Sequence, residues 1–486
     1  MKLKQLFKNL TVQIKGSKDV EITGICSDSK IICPGNLFIA KRGRSSDGNE
    51  FVLDACSAGA VAIVTDLYNP FLPKITQVIV ENIDRIEEEL ASRYYGAPSK
   101  SLFLAGITGT NGKTTTAYLV HHLLSSKSLS CGLLGTIECI IGEQRLLSTL
   151  TTSDVITNNK RLKEMVDKGA KAAVMEVSSH ALDQNRVAGL DFDAAIFTNF
   201  SQDHLDYHET MEKYLEAKQK LFQIISDPKK VAIVNIDDPF SKKIVASCEA
   251  NIVTYGTQKQ ADVRAKEIEM NLEGTRFKLC FQGKECLIKS PLIGLFNVSN
   301  VLAAITLALT LKVKPTQIQR KIQSFKGVPG RLEKIKNTKG VHLFVDFAHT
   351  EDSLNQMLKI LSTIKTGRLI TVFGCGGERD KGKRPKMAQV VEAFSDQMIV
   401  TSDNPRGEDP RHIASDIIKG FKTNKEALVE LDRYQAIERA IFMAKKGDVV
   451  VIAGRGHELF QKIQGKQIPF IDSEIAFKVA NSSSNL

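Results

Sequence analysis

Apolar positions change period repeatedly along this chain. Short Val-, Ile- and Ala-rich runs alternate with stretches in which apolar residues recur every three or four positions. That alternation predicts an α/β protein with parallel sheets and helical crossovers. Three blocks emerge. The first, residues 1–100, has strand-like runs at 20–26, 36–40, 61–65 and 77–81, and a helix predicted over 50–58. It closes on YYGAPSK, a turn-forming stretch. The second, residues 101–331, opens with a strand at 101–107, a Gly/Thr loop and a helix at 114–126. Strands follow at 172–177, 194–198, 231–235 and 252–256, with β-hairpin material over 261–289. FKGVPGR closes it. The third, residues 332–486, has strands at 342–347, 369–374, 397–402, 427–431 and 449–453 with helices between them. The closing NSSSNL is expected to fray.

Composition narrows the class only a little. A chain of 486 residues suits about three domains. With 42% hydrophobic and 25% charged residues it is neither disordered nor collagen-like. No run reaches the ~18 apolar residues of a membrane span. MKLKQLFKNLTVQIKG lacks the apolar core of a secretory signal, so a cytoplasmic protein without membrane insertion is expected. The nine cysteines include no CxxC pair, which argues against zinc and for free thiols in a reducing compartment. A net charge of +11 suits nucleic acid, an anionic membrane or small polyanions equally. No dense basic block or RNA-binding aromatic signature is present, and no nucleic-acid partner is expected.

The strongest chemical signal is LAGITGTNGKTTT, following an apolar strand and opening a helix. Gly109, Thr110, Asn111 and Gly112 allow a tight turn whose N–H groups face phosphate oxygens. The helix N-terminus adds partial positive charge. Lys113 suits the β/γ-phosphates, Thr114 a Mg²⁺ ion, and Thr115 continues the motif. The strict pattern has Gly five positions before Gly112; this chain has Ile107. The motif says ATP or GTP, and leaves ligase, motor, switch and kinase open.

Further candidates lie after later strands. Glu176 ends a strand, where a carboxylate suits Mg²⁺. His204 follows another strand, in TNFSQDHLDYH, and Lys218 sits in a helical run as one lysine among several. Three C-terminal loops, GCGGERDKGKR, SDNPRG and AGRGHE, follow strands and are expected at one sheet edge. Arg379 and Arg406 offer planar forks for carboxylates. Asp403 and Glu458 offer anionic partners for an ammonium group. Both signs together suit a zwitterionic amino acid.

GTNGKTTT, MEVSSH, TNFSQDHLDYH, EAKQKLF, FNVSN, PGRLE, VDFAHT, GCGGERDKGKRP, DNPR and GRGHE occur in the order found in Mur ligases. Over nearly its whole length the chain resembles that family of ATP-dependent amino-acid ligases. The resemblance implies a three-domain α/β architecture: a UDP-sugar domain, a central phosphate-loop domain with a parallel sheet, and a Rossmann-like amino-acid domain. It implies that Lys113 and Thr114 hold ATP and Mg²⁺, and that Glu176 and His204 ligate Mg²⁺. Lys218 matches a lysine carried as a carbamate (N6-carboxylysine), which turns a cation into an anion beside the metal. Asn297, Arg331 and Asp346 match ATP contacts. Thr151, Thr152, Ser178, Gln184 and Arg186 match contacts to the uridine-muramoyl peptide. Ser29 matches the uridine site, where the family commonly has Arg in place of Lys30. Arg379, Asp403, Asn404, Pro405, Arg406, Gly454 and Glu458 match the amino-acid site.

The resemblance further implies addition of meso-diaminopimelate to the D-Glu γ-carboxylate of UDP-N-acetylmuramoyl-L-Ala-D-Glu, a step of peptidoglycan precursor synthesis. DNPR accompanies diaminopimelate in the family, and a different loop accompanies L-lysine. The chemistry agrees: Arg406 supplies a bidentate fork for the second carboxylate that lysine lacks. A monomer is expected, with domain closure around three substrates. Competing readings are a folylpolyglutamate-synthetase-like ligase, a phosphate-loop motor or nucleic-acid ATPase, and an inactive scaffold. The long segment before the phosphate loop and the DNPR loop argue against the first. The C-terminal loops argue against the second, and Lys113, Glu176, Lys218 and Arg406 together against the third.

Overall fold

The computed structural model describes residues 1–43, 47–72, 75–126, 130–422 and 427–482. The last four residues of NSSSNL lie outside this range. The chain forms two compact units, Met1–Thr254 and Tyr255–Leu486.

The first unit carries a five-stranded sheet in the order Gln13–Lys15, Thr76–Ile79, Ala62–Thr65, Asn36–Ile39, Gly24–Cys26. Only Gln13–Lys15 runs antiparallel. The strand expected at 20–26 is shorter, because residues 20–22 bond the chain start instead: Leu3 N–H donates to Val20 O and Ile22 N–H to Met1 O.

The same unit holds a larger sheet segment. Its order is Val231–Asn235, Ala194–Phe197, Phe103–Thr108, Ala172–Glu176, Cys131–Leu134, Glu138–Ile141, Gln144–Leu147. The first five strands are parallel and the last two turn back antiparallel. Strand Phe103–Thr108 lies centrally, so its loop emerges beside those after Glu176 and Phe197. Leu104, Ala105 and Ile107 are wholly buried there, as expected for a strand covered on both faces. The three strands between 131 and 147 went unread in the sequence, where Gly132, Gly135 and Gly142 break up the stretch.

The second unit carries an antiparallel meander, Val263–Asn271, Gly274–Phe281 and Lys284–Ser290. Helix Leu295–Thr310 follows, apolar nearly all round and buried accordingly. Its main sheet runs Glu333–Ile335, His342–Asp346, Val449–Ala453, Leu369–Phe373, Gln397–Val400, Ala427–Val429, antiparallel only at the first strand. Separate apolar clusters cover its two faces. Leu354, Leu358, Met387 and Val391 belong to one, and Ile437, Ile441, Ala476 and Val479 to the other. Asp346, the loop after Phe373, the loop after Val400 and Gly454 therefore share one edge, as the C-terminal loops were expected to. A separate hairpin, Phe460–Ile463 with Lys466–Pro469, follows. Among the described residues no helix is long and apolar enough to cross a membrane.

Candidate active site

In the first unit the glycine turn sits between strand Phe103–Thr108 and helix Lys113–Leu124. Ile107 is buried in that strand and pairs with Glu176. The turn itself starts only at Gly109, which explains why Ile replaces the expected glycine. A Cβ on Gly109, at φ 151°, would lie 1.9 Å from Thr198 Oγ1. The loop is tied to the neighbouring strand's end: Thr110 N–H donates to Asn199 O (2.8 Å), Asn111 N–H to Asn199 Oδ1 (2.9 Å), and Thr198 Oγ1 to Asn111 O (2.6 Å). Thr114 and Thr115 are buried in the first helical turn.

Two lysines converge on this loop. Lys113 Nζ donates to Gly109 O (2.8 Å) and Thr110 O (2.9 Å), and Lys218 Nζ donates to the same Gly109 O (2.9 Å). Lys218 is 1% exposed and lies over the Tyr214 ring at 4.4 Å. Burial, reinforced by the Lys113 charge, holds its ammonium well below the usual lysine range.

Glu176 is fully buried and accepts from Thr114 Oγ1 (2.8 Å), Thr136 N–H (2.8 Å) and Thr136 Oγ1 (3.0 Å). Thr136 was not read from the sequence, because the strand preceding it was not. Its hydroxyl oxygen also lies within hydrogen-bond distance of Thr151 Oγ1 (3.2 Å). Thr152 Oγ1 donates to Glu176 O (2.8 Å), and Ser178 N–H to Thr152 Oγ1 (3.1 Å). Arg186 donates to Gln184 Oε1 and, through Nη1, to Thr152 O (3.0 Å). Thr151, Thr152, Ser178, Gln184 and Arg186 thus form one connected group contiguous with Glu176. Ser29 belongs to another element, the turn Ser29–Ile31 beside the five-stranded sheet.

His204 caps a short helix at φ 53°, its ring 4.7 Å from that of His180. Partial desolvation lowers its pKa, aided by Lys113 and Lys218 and opposed by Asp203. Burial lowers His180 to about 4. Among the described residues no three His, Cys, Asp or Glu side chains form a ready cation cage. The hydroxyl of Thr114 and the carboxylate of Glu176 are hard oxygen donors of the kind Mg²⁺ takes, and a carbamate on Lys218 would add another.

In the second unit Asp346 Oδ2 accepts from Leu332 N–H (2.5 Å) and Oδ1 from Ala348 N–H (2.8 Å). Burial pushes its carboxyl up. The Arg331 guanidinium lies 4.6 Å from the centre of the Phe347 ring, which packs against His457 at 5.0 Å. Asn297 is on another element, helix Leu295–Thr310, where Nδ2 donates to Ile293 O (2.8 Å).

Loops 374–384, 402–406 and 454–458 meet at the sheet edge. Asn404 Nδ2 donates to Glu458 Oε2 (2.6 Å). Arg406 adopts φ 53° and donates through Nη1 to Gly377 O (2.6 Å). Asp403 is 8% exposed, and its buried Oδ2 has no hydrogen-bond partner. A Cβ on Gly454 would lie 2.5 Å from that oxygen. Pro405 is buried, whereas Arg379 is exposed at the rim. Burial raises the Glu458 carboxyl. Beneath the edge lies a group the sequence did not betray. Arg433 and Asp472, both fully buried, form a bidentate pair (2.8 and 2.7 Å), and Arg433 also donates to Ser402 O and Ala453 O.

Strand, glycine turn, paired lysines and buried carboxylate define a phosphate-loop α/β fold with a separate zwitterion-suited edge. Residues 21–95 match the Mur ligase family catalytic domain, 107–308 the Mur ligase middle domain, and 330–456 the Mur ligase glutamate ligase domain. The chain is 42% identical over 484 residues to UDP-N-acetylmuramoyl-L-alanyl-D-glutamate--2,6-diaminopimelate ligase of Caldanaerobacter subterraneus subsp. tengcongensis, spanning 99% of this chain and all of that one. The same-named protein of Aquifex aeolicus is 42% identical over 458 residues, 94% of this chain and 93% of that one. A solved structure of a ligase with that name superposes with a TM-score of 0.71 at 32% identity, covering 99% of this chain and 98% of that one. The chain belongs to the Mur ligase family, ATP-dependent ligases of peptidoglycan precursor synthesis. That membership removes the motor and nucleic-acid ATPase readings.

Proposed function

We propose that this protein joins meso-diaminopimelate to the D-Glu γ-carboxylate of UDP-N-acetylmuramoyl-L-Ala-D-Glu, consuming ATP. The observation that carries this reading is the unpartnered, buried Oδ2 of Asp403 at an edge that also holds Glu458, Asn404 and Arg406. A buried carboxylate oxygen left unpaired is costly. An amino acid's ammonium satisfies it, while Arg406 takes a carboxylate. The names of the relatives point the same way.

A carboxylate is a poor electrophile, so the γ-carboxylate first attacks the ATP γ-phosphorus, forming an acyl phosphate and releasing ADP. Lys113 and the N–H groups of residues 109–115 offset the repulsion between the two anions. The neutral amine then attacks the acyl carbon, and the tetrahedral adduct gives up the nitrogen's extra proton and collapses to an amide and phosphate. Thr151, Thr152, Ser178, Gln184 and Arg186 hold the muramoyl peptide, and Ser29 the uridine end. Asn297, Arg331 and Asp346 hold the nucleotide, with Asp346 taking the ribose hydroxyls. Arg379, Asp403, Asn404, Pro405, Arg406, Gly454 and Glu458 hold diaminopimelate. Mg²⁺, when bound, neutralises phosphate charge; Thr114, Glu176, His204 and carbamylated Lys218 would hold it. Burial that disfavours the Lys218 ammonium favours carbamate formation, in which Nζ bonds the carbon of CO₂ and loses a proton to solvent. Domain limits at residues 100 and 331, a monomeric state and a cytoplasmic location belong to the same proposal.

Phosphate release with ATP, Mg²⁺ and the UDP-linked dipeptide tests it. Turnover with meso-diaminopimelate and little with L-lysine is expected. The reverse preference overturns the Arg406 assignment, and no turnover with either overturns the ligase reading.

A further inference from the structure

A recess borders one flank of loop 402–406. It has a volume of about 470 Å³, and Ser402, Pro405, Arg433, Gln461, Ile463 and Phe470 are among the residues that line it. On that flank directional hydrogen bonds tie the loop to its neighbours. Four of these come from one element, the hairpin Phe460–Ile463/Lys466–Pro469. Gln461 Nε2 donates to Asp403 O (2.6 Å), and Lys462 N–H to Asn404 Oδ1 (2.9 Å). Arg406 N–H donates to Lys462 O (2.9 Å), and Gln464 N–H to Arg406 O (2.6 Å). The hairpin therefore engages Asp403, Asn404 and Arg406, the three polar residues of the loop that face the amino-acid edge.

Two features make this arrangement consequential. Arg406 sits at φ 53°, a conformation uncommon for residues other than glycine. Both of its backbone groups are committed to the hairpin, which holds it in that conformation. Gln461 is 7% exposed, so its amide meets the Asp403 carbonyl away from competing water. A short two-stranded hairpin is at best marginally stable alone, so loop and hairpin depend on each other.

We infer that this hairpin determines the specificity of the amino-acid pocket, and that Gln461 is a positioning residue acting through the Asp403 backbone. The inference deepens, and rests on, the reading of loop 402–406 as the diaminopimelate site. Gln461 touches no substrate; it sets where Asp403 Oδ2 and the Arg406 fork lie.

The test uses the full-length protein and the variants Gln461→Leu and Gln461→Glu. The first removes the donor while keeping an apolar side chain of similar reach. The second sets an acceptor oxygen against the Asp403 carbonyl and keeps size and polarity, so it carries the comparison if the first does not fold. Phosphate release is followed with diaminopimelate, ATP or the UDP-linked dipeptide varied in turn, and with L-lysine as competitor. Loss of one buried hydrogen bond corresponds to a KM for diaminopimelate raised about tenfold. The KM for ATP and for the dipeptide stays unchanged, and the preference for diaminopimelate over lysine falls. A rise of all three KM values together shows a merely structural role and overturns the inference. So does an unchanged KM for diaminopimelate in both variants. Failure of the unsubstituted protein to use diaminopimelate overturns the pocket reading itself, and the inference with it.

Discussion

Lys218 shows how much a single residue owes to its surroundings. In the sequence it is one lysine in a helical run. In the fold it is 1% exposed, shares the Gly109 carbonyl with Lys113, and stacks on Tyr214. Burial then disfavours the ammonium, the form that cannot accept CO₂. Lys218→Ala is expected to lose at least about a hundredfold in kcat, the scale for removing one electrostatic group from an active site. Bicarbonate should restore activity to unsubstituted protein depleted of CO₂ and not to Lys218→Ala. Restoration in both, measured by phosphate release, refutes the carbamate role. Asp403 makes the complementary point: its motif was readable, but its orphaned oxygen exists only because Gly454 leaves room beside it.

At the scale of elements, the sites are ends of strands tied to their neighbours. The phosphate loop is fixed as much by Thr198 and Asn199, from the adjoining strand's end, as by its own glycines. Gly109→Ala places a methyl 1.9 Å from Thr198 Oγ1 and strains the backbone as well. Weakening of nucleotide binding by about tenfold or more is expected by calorimetry, with little change in diaminopimelate binding. Equal loss of both would point to general unfolding. A second tie joins helices Lys383–Phe394 and Pro410–Ile418. Arg384, 1% exposed, donates to Glu408 and Asp416. The Glu408 carboxyl is lowered by the Glu378 N–H and then by Arg384, and that of Asp416 by Lys419 and Arg384. Their stabilisation is thus present above the unfolded values of 4.5 and 3.8 and is lost as pH falls below them. Arg384→Met is expected to flatten the acid side of the melting-temperature profile over that range. An unaltered profile would show the tie to be energetically silent.

For the whole molecule, two half-buried histidines contribute to stability nearer neutrality. Burial lowers both His180 and His457 from 6.5 to about 4. Between those values the unfolded chain takes up protons that the native one refuses, so stability falls as pH drops through this window. Urea unfolding at pH 7 and pH 5 should show a lower midpoint at pH 5. In His457→Gln that difference should shrink, and an undiminished one excludes His457 as a source. The sequence by itself determined the α/β class, the phosphate loop and the C-terminal loops. Strand, glycine turn and helix lie within a few adjacent residues, and the apolar period reports burial directly. It also carried the family through motifs in fixed order. The strands between 131 and 147 escaped it, where Gly132, Gly135 and Gly142 break up the apolar run, and Thr136 escaped with them. The tertiary structure alone decided which side chains meet. Thr136 reaches Glu176 from forty residues away, Gln461 reaches Asp403 across fifty-eight, and Arg433 meets Asp472 across thirty-nine. Hydrogen bonds and burial depend on distance in space, and chain separation of that order leaves no local pattern from which to read them.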